Sequence, residues 1–170
     1  MHRIAVLSDT HWHRWDPDNP LAAGVDAYLA GGVDAVWHGG DVVEDQVLAH
    51  LESYAPLTVV RGNCDRWFPR ELPHSVIREI EGVTVAMIHG WDLPLEHLPS
   101  VVKAFSDNVE IIIHGHTHRR RRDTYTRPDG RLVTVINPGS VSSPRGGETA
   151  GLGELTIDGA QWEYRSLHLT

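Results

Sequence analysis

Cys64 is the one cysteine in 170 residues. No disulfide can form within the chain, and a reducing compartment suits it. Long apolar runs are missing as well. No stretch approaches the ~20 residues needed to cross a bilayer, and the start, MHRIAVLSDT, is too short an apolar run for a signal peptide. A cytoplasmic protein with no membrane partner is therefore expected. Positive charge is scarce: 15 Lys and Arg stand against 23 Asp and Glu, a formal net charge of −8. That balance argues against a general nucleic-acid binder. Linkers, repeats and low-complexity segments are also lacking, which points to a single domain over residues 1–170. With 41% hydrophobic residues, such a chain can bury a core without covalent staples.

Histidine, in contrast, is abundant, with 12 residues, and it serves both as metal ligand and as acid–base group. Its placement becomes meaningful once the elements are read. RIAVLSD (3–9) reads as a buried strand. Residues 19–32 read as a helix, with Asn19 as N-cap, Pro20 in its first turn and Gly31-Gly32 ending it. VDAVWHGGD (33–41) is a second strand, residues 44–54 an amphipathic helix, and LTVVRGNCD (57–65) a third strand. This alternation predicts a parallel α/β sheet. Further on, residues 75–90 read as two strands around a Glu81-Gly82 turn. Residues 93–107 read as a weaker helix interrupted by Pro99, and residues 108–118 as another strand. Two hairpins follow, 119–140 around Pro128-Asp129-Gly130 and 150–169 turning at Asp158-Gly159. An α/β first half and an antiparallel second half predict two sheets packed face to face with helices outside.

Nearly every apolar run stops at a ligand-type residue beside a glycine. Asp9 and His11 end the first strand, Asp41 the second and Asn63 the third. His89 ends a later one, and His116 and His118 follow IIIHG. Residues two apart in an extended segment point the same way, so each pair can reach a single site from one strand's carboxyl end, where α/β sheets build their sites. A lone Asp-x-His or His-x-His is explained by packing; five such elements at five strand ends are not.

SDTH, GGD, GNCD, IHG, HGHTH and NPGS, in this order, resemble the calcineurin-like metallophosphoesterases, and most of all their small YfcE-like phosphodiesterase branch. The resemblance runs from about residue 3 to residue 140. It implies an α/β fold of the four-layer αββα type, two mixed β-sheets flanked by helices. It also implies two divalent metal ions, one on Asp9, His11, Asp41 and His118, the other on Asp41, Asn63, His89 and His116, with Asp41 shared. Imidazole, carboxylate and amide donors without thiolate suit Mn²⁺ first, with Fe, Ni, Co or Zn as alternatives. The implied reaction is hydrolysis of a small phosphate ester by a hydroxide held between the ions. Where many family members carry a histidine after the metal-binding asparagine, this chain has Cys64, as is typical of the branch. A thiol is a poorer acid than imidazolium near neutral pH, so Cys64 at the leaving-group position favours phosphodiesters over alkyl monoesters.

Other signals divide between substrate contact and structure. Arg119 to Arg122 read either as an anion-attracting rim, with Arg119 and His13 beside the ligands as substrate contacts along with Asn63, or as a strand whose arginines face solvent or pair with acids. Trp12 and Trp15 read as loop tryptophans buried against the scaffold. His38 and His114 read as packed residues that orient neighbours. Asn137, Gly139 and Ser140 are expected to shape the site, and Asp65 to fix a loop as an acceptor. Two alternatives to a phosphodiesterase remain. One is a protein-binding scaffold of the same fold, as in the retromer subunit; the other is a nucleotide phosphomonoesterase. A hydrophobic sheet edge or exposed tryptophans would support a homo-oligomer.

Overall fold

A computed structural model describes residues 1–170. Its strands are β1 (His2–Leu7), β2 (Ala35–His38), β3 (Leu57–Val59), β4 (Ser75–Ile80), β5 (Val83–Ile88), β6 (Ile111–His114), β7 (Arg120–Thr126), β8 (Leu132–Pro138), β9 (Gly151–Asp158) and β10 (Gln161–His168). Its helices are α1 (Pro20–Ala30), α2 (Asp45–Glu52) and α3 (Leu98–Lys103). The strands form two five-stranded sheets, in the orders β10-β9-β1-β2-β3 and β4-β5-β6-β8-β7. Each sheet has a parallel centre: β1 pairs in parallel with β2 and β2 with β3, as β5 does with β6 and β6 with β8. Antiparallel strands complete each one. The chain is therefore not divided into a parallel half and an antiparallel half. The last hairpin returns to extend the first sheet beside β1, and both sheets are mixed.

Three apolar clusters fill the spaces between four layers. Ile4 and Val6 of β1 join Val85, Met87, Ile111, Ile113 and Leu155 between the sheets. Ala5 and Leu7, the alternate residues of β1, meet Val25 and Leu29 of α1 and Val47, Leu48 and Leu51 of α2. Ile112 turns the other way from its neighbours and packs with Val101 and Val102 of α3. Runs such as IAVL and III are continuous because both faces of these central strands are covered.

The helix limits have local causes. The Asn19 side chain accepts from the Leu21 amide, Pro20 occupies the first turn, and Gly31 follows the last. Pro99 does not interrupt a longer helix. It lies in the first turn of the short α3, where a missing N–H costs nothing. The β4–β5 turn has both central residues in the left-handed region, Glu81 at φ 49° and Gly82 at φ 94°, which suits a tight hairpin. The last hairpin turns at Gly159-Ala160, one residue later than its sequence suggests. No helix is long and apolar enough to cross a membrane. Trp67 is the one strongly exposed tryptophan, at 90%; Trp12 and Trp15 are half-buried against the α1–α2 core.

Candidate metal centre

The carboxyl ends of β1, β2, β3, β5 and β6 meet at one edge of the two sheets. Extended geometry stops at Leu7 and His114, so the paired side chains are not aimed by strand alternation, as the two-residue spacing suggests. Instead, Asp9, His11, Asp41, His116 and His118 all have left-handed backbones, with φ of 53°, 48°, 55°, 66° and 58°. Each such non-glycine residue costs about 1 kcal/mol or more and persists only where its surroundings hold it. Those surroundings are visible. The Asp9 amide donates to Gly40 O and the His11 amide to Asp41 O, both at 3.0 Å. The His116 amide donates to Asp9 Oδ2 at 3.1 Å, and Ser8 Oγ donates to the same oxygen at 2.7 Å.

The side chains converge on a small volume. Asp9 Oδ1 lies 3.2 Å from His118 Nε2 and 3.9 Å from both His11 Nε2 and His89 Nε2. Asp41 Oδ2 lies 3.3 Å from His89 Nε2 and 3.6 Å from His11 Nε2. His11 Nε2 and His118 Nε2 are 3.3 Å apart. Asn63 Oδ1 and His116 Nδ1, at 3.1 Å, form a more exposed flank. Asp9, His11 and His118 are one set of atoms able to hold a cation, Asp9, Asp41 and His89 a second, and His11, Asp41 and Cys64 a third.

Two carbonyls choose the ring tautomers. His89 Nδ1 donates to Gly39 O and His118 Nδ1 to Ser143 O, each at 2.7 Å. In the neutral rings, both Nε2 lone pairs then face the carboxylates. Asp9 Oδ1 and His89 Nε2 are buried without a hydrogen-bond partner. Lone pairs facing carboxylates at this range repel unless a cation or a proton lies between them. Protons relieve the repulsion in part. Burial lowers the His89 pKa, but the neighbouring Asp41 and Asp9 carboxylates outweigh that and raise it. The Asp9 carboxylate, 3.2 Å away, raises that of His118. Burial lowers His11 and His116. Burial works against ionising Asp41, yet His89 and the Cys64 amide hold it well below the usual carboxylate range. The residues present fit divalent cations.

Residues 2–160 match the model of the calcineurin-like phosphoesterase superfamily domain. The chain belongs to this family. It is 34% identical over 143 residues to a probable metallophosphoesterase of Methanothermobacter thermautotrophicus, an alignment covering 84% of this chain and 78% of that one. It is 32% identical over 126 residues to the phosphodiesterase YfcE of Escherichia coli, covering 63% of each. In fold, it resembles wild-type Vps29 of Entamoeba histolytica complexed with Zn²⁺, with a TM-score of 0.74, 20% identity, and coverage of 94% of this chain and 88% of that one.

The calcineurin-like family uses divalent metals, and the convergent donors are where this member could hold them. Asp9, His11, Asp41, His89 and His118 meet there, with Asn63 and His116 on its exposed flank. Cys64 stands beside them, its amide donating to Asp41 Oδ1 at 2.8 Å. Burial, with the Asp41 charge, pushes its thiol up to about 11, so its acidity is weaker than an ordinary cysteine's. Asp65 is a loop-fixing acceptor, taking the amides of Asp41, Val42, Val43 and Gly62. His38 Nδ1 accepts from the Gly40 amide and so steadies the Asp41 turn. Asn137 Nδ2 donates to Gly115 O, and Ser140 Oγ to Asp9 O. His13 is exposed, 4.0 Å from Glu44. Ser8, Gly62 and the Ser143 carbonyl escaped the sequence reading. SDTH and GNCD contain the first two, but a tight approach between distant strands leaves no periodic signal.

Proposed function

We propose that this calcineurin-like phosphoesterase is a phosphodiesterase working with two divalent cations, Mn²⁺ first among the candidates. Asp9, His11, Asp41 and His118 would hold one cation, and Asp41, Asn63, His89 and His116 the other. The whole chain, 1–170, would serve as one domain acting on a small phosphate ester in the cytoplasm. The observation that carries this reading is the pair of buried, unpartnered donor atoms, Asp9 Oδ1 and His89 Nε2, inside a cage of inward-facing lone pairs. Leaving such groups unpaired is expensive, and a cation removes the expense.

Bound there, divalent cations supply Lewis acidity toward phosphoryl oxygens and activate water as the nucleophile. The protein's own part is orientation. Asp41 reaches both the His11 side and the His89 side of the cage, as a shared ligand must. Gly39 and Ser143 hold two imidazoles in the ligating tautomer. Cys64, its thiol pushed up to about 11, stays protonated and is a weak proton donor to a leaving group. That favours esters whose leaving group needs little help, and with the likeness to YfcE it supports diesters over alkyl monoesters. The scaffold alternative draws on the fold likeness to Vps29, whereas the complete donor set here favours catalysis.

The test uses metal-stripped protein, a chromogenic phosphodiester and its monoester counterpart, with Mn²⁺ added back. Mn²⁺-dependent hydrolysis is expected, faster for the diester. Asp41→Ala should lower it by about a hundredfold or more, beyond the cost of losing an outer-shell partner. No turnover with any of several bound metals would support the scaffold.

A further inference from the structure

We propose that Arg119 and Arg145 form a second anion site beside the metal centre, and that the substrate is a phosphate ester carrying another anionic group there. The substrate class rests on the phosphoesterase reading above; the anion site does not require turnover.

The run Arg119–Arg122 separates into three committed arginines and a free one. Arg120 donates to Thr149 O at 2.7 Å and Ala150 O at 3.2 Å and pairs with Glu148 at 3.4 Å. Arg121 binds Asp123 and the Leu95 carbonyl. Arg122 donates to Tyr164 O at 3.1 Å and lies over the Trp162 ring. The Arg119 guanidinium has no hydrogen-bond or ion-pair partner in the protein; its amide alone is bonded. Arg145 is alike. Its amide donates to His118 O at 3.0 Å, which seats it beside the centre, and its side chain pairs with nothing. Its charge bears on both His116 and His118. Arg119 lies over the neighbouring Gly146, where a Cβ would come 3.2 Å from its Nε. The side chains of Arg61 and Arg66 are likewise unpaired, but Arg119 and Arg145 share one hollow, which places two free positive charges together in a chain with a net charge of −8.

Both arginines line one hollow of about 230 Å³ with Glu96, His116 and Thr117. That is several times the ~30 Å³ of a water molecule, room for a phosphoryl group. His116 alone of the seven donor residues borders it, so an anion there sits next to the cage and outside it. A second hollow of about 220 Å³ shares Glu96, Thr117 and Arg119 and extends to His114, whose buried Nε2 has no partner. The space is thus polar throughout. Guanidinium pairs bind phosphoryl and carboxylate oxygens in a fork. Glu96, without a protein partner, offsets one of the two positive charges and sets a limit on how tightly an anion is held.

Binding tests this without turnover. Mn²⁺-loaded protein is titrated calorimetrically with propyl phosphate and with straight-chain diol bisphosphates of two to five carbons. At least one bisphosphate should bind about tenfold more tightly than propyl phosphate, the gain of one charge-assisted contact. Arg119→Ala/Arg145→Ala should reduce that ratio to about twofold or less, Arg119→Lys/Arg145→Lys should keep part of it, and Glu96→Gln should widen it. Thermal melting confirms that each variant is folded. Equal binding of every bisphosphate and propyl phosphate by the native protein, or a preference that survives in the double alanine variant, overturns the proposal. A retained preference in a protein that hydrolyses no diester would uphold the site and sink only the catalytic reading.

Discussion

Four backbone amides converge on the Asp65 carboxylate, those of Asp41, Val42, Val43 and Gly62, at 2.7–2.9 Å. One side chain thereby ties the turn after β2 to the turn after β3 and holds Asp41 in its left-handed conformation. Asp65→Ala removes an ionised acceptor and strands four donors, at a cost of about 3 kcal/mol or more. Urea unfolding should show this loss, and calorimetric Mn²⁺ titration should show weaker metal binding in the variant that remains folded. An unchanged stability would mean that water replaces the carboxylate without cost. At this scale, the sequence was legible where chemistry marks a residue. Aspartate and histidine beside glycine at a strand end mark candidate ligands, and Asp65 could be taken for an acceptor. Its four partners could not be named, because three of them belong to a turn more than 20 positions away. Arg119 could be singled out only by its place beside His118; that its guanidinium alone of the four stands unpaired could not be read, since four identical side chains differ only in what folds against them.

Among the elements, strand ends and the glycines next to them decide the centre. Gly62 lies so close to the β2 turn that a Cβ there would overlap the Asp41 carboxylate and backbone nitrogen. Backbone cannot yield as a flexible side chain can. Gly62→Ala should therefore separate the ends of β2 and β3, destabilise the fold by about 3 kcal/mol and weaken Mn²⁺ binding, both measurable as above. Normal metal affinity would show that the two turns are not packed as described. The strands and α1 were readable because alternation, caps and turn residues are local. Pro99 misled in one respect: the same residue that breaks a helix interior is favoured in a first turn, and only the start of α3 distinguishes the two. The left-handed turns at Asp9, His11, Asp41, His116 and His118 were not legible, since nothing local asks a histidine to adopt that conformation; the contacts around it do.

For the whole molecule, burial of histidine between layers gives stability a pH dependence. Burial pushes His38 and His114 down to about 4. In the unfolded chain, both take up protons near their ordinary value of about 6.5. Between these limits the unfolded state binds more protons, so stability falls as pH drops from about 6.5 towards 4. In chelator-treated protein the melting temperature should decline over that window, less steeply in His114→Gln, whose side chain does not titrate. Equal slopes would show that His114 is not held neutral. The sequence by itself determined the central strands, the run of ligand-type residues at their ends and the family, because these depend on residue type and order. The tertiary structure decided that β9 and β10 join the first sheet, that carbonyls of Gly39 and Ser143 set two imidazole tautomers, and that two arginines far apart in sequence stand unpaired over one hollow. Those outcomes depend on which distant segments share a neighbourhood, a matter of packing across sheets that no local pattern encodes.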